Sequence, residues 1–349
     1  MESTGCYWKL VLNILEDDPE YRLEVVLANA QQVKAVTGHK TDPHDARWLA
    51  HWHGMIRPSF IPPRAQCELR DLTRRRKQMV RAAAEERNRV QKVREDANVK
   101  IGDVLSDVFG LSGQLMLEAL VAGPSSAGEV AQLARGHARK KIAELTAALQ
   151  GHQMRDSHRF LITRALRHMA FLADEIEALD QEIARSLTRP DLSQPNQLLQ
   201  TIPGIRTQAA AAMLAEGGPH MQPFPGAAHF TSWSGIAPGN HESAGKRKRS
   251  PTMRGNPHMK TGWWNRPGRP RASTAASQDR YQRLQPCLGH KRAIVAVAHV
   301  LALRIYEVLQ SGLPYQKAHS AQSESSVNRL IRHHSRRLKL HRWLKDMDS

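Results

Sequence analysis

Disulfide chemistry is the first thing this sequence lacks. Its 349 residues hold three cysteines, Cys6, Cys67 and Cys287, far apart and without a C-x-x-C pair. That spacing gives neither a disulfide framework nor a zinc knuckle, and it fits a reducing, cytoplasmic setting. The 18 histidines are scattered, which argues against a structural zinc site. Long apolar runs are missing too: stretches such as Ile294–Leu303 fall short of the ~20 residues a membrane span needs. Nor does the start read as a secretory signal peptide, since Glu2, Glu16, Asp17 and Asp18 stand where its basic and apolar regions belong. Acidic side chains are in short supply: Asp plus Glu number 33 against 51 for Lys plus Arg, a net charge of +18. With 40% hydrophobic residues the chain can still build a core, so the excess points to a polyanionic partner rather than to disorder. Nucleic acid is that partner; no segment supports its rival, an acidic membrane surface.

What is present reads as two or more domains. Tyr7, Leu10, Val11, Ile14 and Leu15 recur at helical spacing and predict a short amphipathic helix. Arg22–Ala28 reads as a buried strand, and Gln32–Val36 as a second candidate. Between Lys40 and His53 a helix is expected, with Asp42 at its N-cap, Pro43 at the first helical position and Asp45 in the first turn. Strands alternating with helices indicate an α/β layer. From Cys67 the character changes. Residues 67–98 lack Gly and Pro and suit one long helix; residues 126–150 and 155–188 also read as helices. In the last of these Ile162, Leu166, Met169, Ala173, Ile176, Leu179, Ile183 and Leu187 form a coiled-coil-like seam. An intramolecular hairpin against residues 67–98 and a dimer stalk fit it equally well. Pro190–Pro195 reads as a linker, residues 246–271 as basic loop, residues 291–312 as an apolar-faced closing helix, and the chain from Ser320 as a polar, basic tail.

Four constellations carry candidate chemistry. Glu2, Asp42 and Asp45 are carboxylates, the last two three residues apart on a helix start. Convergent carboxylates are what Mg²⁺ takes, leaving room for phosphate oxygens; Asp-Pro-x-Asp is also simply a good helix start. Leu198–Gly217 reads as two helices joined at Pro203-Gly204, resembling a helix-hairpin-helix that offers backbone N–H groups to a phosphate; an ordinary αα-turn has the same pattern. Ser243 lies in a small-residue loop before Lys246, Arg247, Lys248 and Arg249, whose charge would neutralise a phosphate under attack, although a serine in a phosphate-binding loop needs no such role. On the long helix, Arg74, Arg75, Arg76 and Lys77 have no acidic neighbour and are the better phosphate contacts among its cations.

Glu2–Trp8 (ESTGCYW), Lys40–Ala46 (KTDPHDA) and Asn240–Lys246 (NHESAGK) resemble the IS110 family of insertion-sequence transposases, also described as bridge-RNA-guided recombinases. The likeness runs on through residues 56–63 (IRPSFIPP), 68–74 (ELRDLTR), 201–205 (TIPGI), 229–240 (HFTSWSGIAPGN) and 290–299 (HKRAIVAVAH), in the family's order. The resemblance implies an α/β plus α fold class. An incomplete RNase H/RuvC-like DEDD domain would span residues 1–66 and a helical, coiled-coil segment residues 67–190. A mainly α, serine-bearing transposase domain with the helix-hairpin-helix would span 196–312, and a divergent basic tail 313–349. It implies that Glu2, Asp42 and Asp45 bind Mg²⁺, that Ser243 attacks the DNA phosphate, that a structured RNA pairs with donor and target DNA, and that subunits assemble as a dimer or tetramer.

The sequence departs from that pattern in three places. The family's first aspartate lies on an opening strand well before E-x-T-G, so this chain reads as N-terminally truncated, and its activity is expected to be lost or severely impaired. Residues 260–286 replace an apolar, Ala-rich helix with a stretch in which Pro267, Gly268 and Pro270 would disrupt a helix; two compensating frameshifts would produce it, and the gene's DNA sequence tests that. The tail after Pro314 drifts as well. Two other readings remain at this level: a non-catalytic nucleic-acid-binding remnant, and a metal-dependent nuclease.

Overall fold

The computed structural model describes residues 7–16, 25–28, 60–237, 242–243, 246–247, 252, 255–259 and 275–316. The expected elements over 32–36 and 40–53, and with them Glu2, Asp42 and Asp45, lie outside these residues. Helix α1 (Tyr7–Glu16) forms as its spacing predicts, and Leu12 rather than the Tyr7–Leu10–Ile14 stripe is its buried residue. Residues 25–27 are not in a strand and Ala28 makes a single bridge, so the described part of 22–28 differs from the expected strand.

Helix α2 (Arg64–Asp96) is one 33-residue element, uninterrupted because no Gly or Pro breaks it. It stops where Asn98 turns to φ 54°, a left-handed conformation that asparagine tolerates. The chain then makes four short helices, α3 (Ile101–Val104), α4 (Leu111–Ala122), α5 (Ala127–Ala131) and α6 (Ile142–Leu149), with a 3₁₀ stretch at Gly136–Lys141. The helix expected over 126–150 is thus broken into pieces; Gly136, at φ 56°, cannot continue a right-handed helix from α5. Ser126 starts α5 with a capping box shared with Glu129. Ser126→Ala is expected to cost about 1 kcal/mol in urea unfolding.

Helix α7 (Asp156–Ser186) returns along α2. Its partners fall in reverse order: His158 with Asp96 (2.8 Å), His168 with Glu86 (2.9 Å), Asp180 with Arg76, and Arg189, just beyond α7, with Glu68 (2.8 Å). The two helices are therefore an antiparallel hairpin within one chain, the first of the two arrangements the seam allows. The seam itself is shifted by one residue at its centre: Leu172 is buried and Ala173 exposed.

Two apolar cores sit at opposite ends of this hairpin. At the distal end, Val90, Ile101, Leu117, Leu120, Leu145 and Ile162 pack α2 and α7 against α3–α6. At the proximal end, Leu69, Ile183 and Leu187 join a second core made by α8 (Pro190–Thr201), α9 (Thr207–Gly217), α10 (Ala227–Trp233) and α12 (His290–Ser311). The stretch expected as a linker, 190–195, is the start of α8. Pro190 occupies the first helical position, where its missing N–H costs nothing, and fully buried Leu192 and Leu199 hold the helix in the core despite Pro195. Helix α11 (Ala275–Leu288) precedes α12; Pro267, Gly268 and Pro270, where helix disruption was expected, lie outside the described residues. By length and composition α12 would suffice to cross a membrane, contrary to the count of unbroken apolar residues; its Ala298, Ala302, Ile305 and Val308 lie in the proximal core, which accounts for its apolarity. The only sheet among the described residues pairs β1 (Glu242–Ser243) with β2 (Lys246–Arg247).

Candidate functional site

Helices α8 and α9 are joined at Ile202–Arg206. Ile205 N–H donates to the Ile202 carbonyl (3.0 Å) around Pro203 and Gly204, whose φ is 96°. Proline second and a positive-φ glycine third is the pattern of a type II turn. Buried Ile202 and Ile205 anchor it. Arg206, Thr207 and Gln208 at the start of α9 are exposed, and no side chain caps that helix, so its first N–H groups face outward.

The cation run on α2 is divided by its surroundings. Arg74 makes a bidentate pair with Glu216 on α9 (2.7 and 2.8 Å), and Arg76 makes one with Asp180 on α7. The expected absence of acidic neighbours does not hold: both carboxylates come from elements far away in the chain, and Asp71, one turn before Arg74, adds its own attraction. The Arg76 guanidinium, helped by Gln208, holds the Asp180 carboxyl below its ordinary range. Arg75 is exposed, and Lys77, whose pKa burial lowers, lies near Glu216 and Arg74.

Glu216 is the centre of a buried polar network that the sequence did not disclose. It is 5% exposed at the C-terminal end of α9. Besides Arg74, it accepts a hydrogen bond from Asn256 Nδ2 (2.7 Å), and Arg70 lies 3.7 Å away. Arg70 donates to the Ala215 and Glu216 carbonyls (2.9 and 3.2 Å), and Gln66 Nε2 to the same two oxygens, so α2 satisfies the end of α9 where its own ladder stops. Burial alone would raise the Glu216 pKa; the hydrogen bonds from Arg74 and Asn256 and the charges of Arg74 and Arg70 outweigh it and hold the carboxyl below its ordinary range. His258 is pushed down, by burial first and then by Arg74.

Asn256 ties this network to the segment that carries Ser243. Its Oδ1 accepts from the His258 and Met259 N–H groups (2.9 and 3.2 Å), and its own N–H donates to the Trp233 carbonyl (2.8 Å). Beside it Gly255 lies flush on Gly235: a Cβ there would sit 2.0 Å from the Gly235 nitrogen. The chain therefore leaves α10 at Gly235 and comes back to the same point at Gly255. Between these ends, β1 and β2 run antiparallel with Ser243 opposite Lys246 and Glu242 opposite Arg247. The expected loop over the serine and the first two cations is thus a short hairpin. Lys248 and Arg249 lie outside the described residues. Among the described residues no three His, Cys, Asp or Glu side chains gather in a way that could hold a metal ion.

Glu216, Asn256 and Arg70 were missed because each looks ordinary alone. The available signal was Gly255-Asn256-Pro257, a turn dipeptide followed by proline, at the edge of the basic stretch.

Two family models match the chain. One, described as a transposase and titled for the DEDD type, covers residues 1–96; the other, described as the transposase IS116/IS110/IS902 family, covers residues 196–280. Together they take in more than half of the 349 residues. No curated protein matches.

Proposed function

Since the chain belongs to the IS110 family of transposases, which act on DNA, we propose that it is a recombinase that cuts and rejoins strands through Ser243. The observation that carries this reading is the mounting of Ser243: a hairpin with Lys246 in register, on a loop closed at its neck, within the matched residues 196–280. The step is a transesterification. Ser243 Oγ forms a bond to phosphorus while a deoxyribose oxygen leaves, taking the proton the serine gives up. A strand hydroxyl reverses the exchange on a new end, so the phosphodiester's energy is conserved in the serine ester. Lys246 and Arg247, with Lys248 and Arg249, neutralise the phosphate charge as it builds.

Glu2, Asp42 and Asp45 fit a divalent cation by donor chemistry, being hard oxygen ligands in a stretch matched by the DEDD model. Bound there, Mg²⁺ would supply charge neutralisation at a phosphate. In this reading the N-terminal part is RNase H/RuvC-like and the Pro203-Gly204 turn with the open start of α9 grips a phosphate as a helix-hairpin-helix. Exposed Arg75 adds backbone contact. The α2–α7 arm serves as the coiled coil through which two or four copies assemble, a structured RNA selects the DNA sites, and the protein works in the cytoplasm at the nucleoid. The domain limits are those drawn from the sequence, 1–66, 67–190, 196–312 and 313–349.

The test uses purified protein, DNA carrying the element's ends, the RNA transcribed beside the gene, and Mg²⁺. A covalent protein–DNA adduct, in the reduced yield expected of this sequence, marks the serine chemistry on denaturing gels, and Ser243→Ala loses it together with any joined product. Joined DNA made by Ser243→Ala would overturn the serine role. Tight, steeply salt-dependent binding with no cutting would mark a binding remnant instead, and linear fragments alone a nuclease.

A further inference from the structure

We propose that the outer face of α7 near its distal end is a platform for a single-stranded nucleic acid, with unpaired bases stacking on Phe160 and Phe171 and phosphates meeting Arg164 and Arg167 between them. The inference goes beyond the reading of Ser243 and does not depend on it.

Phe160, Arg164, Arg167 and Phe171 step by four, three and four, which puts them on one face of the helix over about 17 Å. The distal core takes Ile162, Ala165, Leu166 and Met169 of the same helix and leaves this face outside. All four side chains are exposed, Phe160 at 65% and Phe171 at 55%. The chain has only six phenylalanines. Leaving two of them in water on one helix face forgoes apolar burial, as a surface made for contact does. Phe171 is also held in place: its ring stacks on His168 (6.4 Å between centroids), and His168 Nδ1 donates to buried Glu86 (2.9 Å).

Charge decides what the contact is. After Asp156, α7 has no acidic residue until Asp174. Its arginine ion pairs within the helix are Arg159 with Asp156 and Arg185 with Glu182; among the described residues Arg164 and Arg167 make none. At the same end of the arm Arg135, Arg139 and Lys140 are exposed and make none either, beside Ala134 and Ala138 in the distal core. Rings alternating with unpaired guanidinium groups suit a polymer whose bases stack and whose phosphates carry charge. A duplex suits them less, since its bases are already stacked on one another. A second copy of α7 fits worse. Laid antiparallel so that Phe160 meets Phe171, it sets Arg164 against Arg167; shifted until Arg167 meets Glu175, it leaves Phe160 against Glu182. Assembly of copies through the arm then uses the rest of its surface.

The test uses the full chain in EDTA, so that no strand is cut. Oligomers of about 15 nucleotides carrying 5-iodouracil, one of DNA and one of RNA, are irradiated with the protein and the tryptic peptides mapped by mass spectrometry. Cross-links are expected on Phe160–Arg164 and His168–Arg185, and whichever oligomer gives them names the strand's sugar. In anisotropy titrations Phe160→Ala and Phe171→Ala are each expected to weaken binding about tenfold with the salt slope unchanged, while Phe160→Trp with Phe171→Trp keeps it. Arg164→Gln with Arg167→Gln instead lowers the salt slope by about 1.4. These side chains are exposed, so the fold tolerates the changes. Absence of cross-links on both peptides overturns the proposal, as does strand binding left unchanged by Phe160→Ala with Phe171→Ala, or an equal loss on a duplex of the same length. A double variant that turns from dimer to monomer on sedimentation while strand binding stays intact makes the face an interface between copies, and the proposal falls. None of these readouts uses strand cutting, so they stand apart from the fate of the Ser243 reading.

Discussion

Arg74→Ala is expected to lower the unfolding free energy by about 3 kcal/mol, because it strands a buried carboxylate. Glu216 is 5% exposed and loses its bidentate partner, keeping Asn256 at 2.7 Å and Arg70 at 3.7 Å. The reverse change is milder: Glu216→Gln leaves Arg74 a third exposed and able to reach water, and should cost roughly half as much. The pH dependence separates charge from packing. In the wild type the Glu216 carboxyl is held below its ordinary value of 4.5, so its contribution is complete above that value and is lost as pH falls through the folded-state pKa. His258 and His299 are both pushed below 6.5, His299 by burial, so the unfolded chain takes up their protons first. Stability should therefore begin to fall as pH drops below about 6.5 and fall more steeply below 4.5. In Arg74→Ala the Glu216 pKa rises, protonation relieves the stranded charge, and the gap to wild type narrows as the solution is acidified. A gap that stays constant from pH 7 to pH 4 in urea titrations would show that packing, not charge, is what Arg74 contributes.

Gly255→Ala is the second large effect, and it works through the backbone. A methyl at that position would lie 2.0 Å from the Gly235 nitrogen, 2.3 Å from its Cα and 2.5 Å from the Trp233 carbonyl oxygen. No side chain is there to rotate away, so the neck itself must open. Opening it breaks the Asn256–Trp233 hydrogen bond and leaves an N–H and a carbonyl to find water. A cost of about 3 kcal/mol is expected, at the upper end of overpacking, and it should appear as a fall in the thermal midpoint. The reading distinctive of this site is that exchange activity falls further than the stability loss accounts for at temperatures where the variant is still folded. If Gly255→Ala melts as wild type does, the close approach at the neck is not maintained in solution.

The helices were legible wherever periodicity and composition agreed. Residues 67–98 lack helix breakers and form α2; the spaced apolar residues of 155–188 form α7; residues 291–312 form α12. Proline misled at Pro190–Pro195, because tertiary burial and a first-position proline both tolerate what local propensity disfavours. The break at Gly136 was hidden for the opposite reason: of the two glycines in the stretch, Gly128 sits within α5, and nothing local marks Gly136 as the one that ends it. The candidate site was legible as motifs and opaque as geometry. Ser243 and the cations after it were visible as a string; that Ser243 faces Lys246 in a hairpin was not. Arg74 and Arg76 looked like free cations because their carboxylates, Glu216 and Asp180, lie 142 and 104 residues away in sequence. A charge run shows its surplus, but only the fold decides which members of it are already spent.

The two helices of the arm leave the proximal core at Leu69 and re-enter it at Ile183. The far core, residues 90–169, is thus an outpost on a rod of about 50 Å, at 1.5 Å for each of the 33 residues of α2. Its distance from the proximal core is written in the number of helical residues, and adding one heptad to each helix would carry it about 10 Å further out while leaving its facing nearly unchanged. Such a spacer sets how far the distal core stands from the proximal one, independently of what either end does.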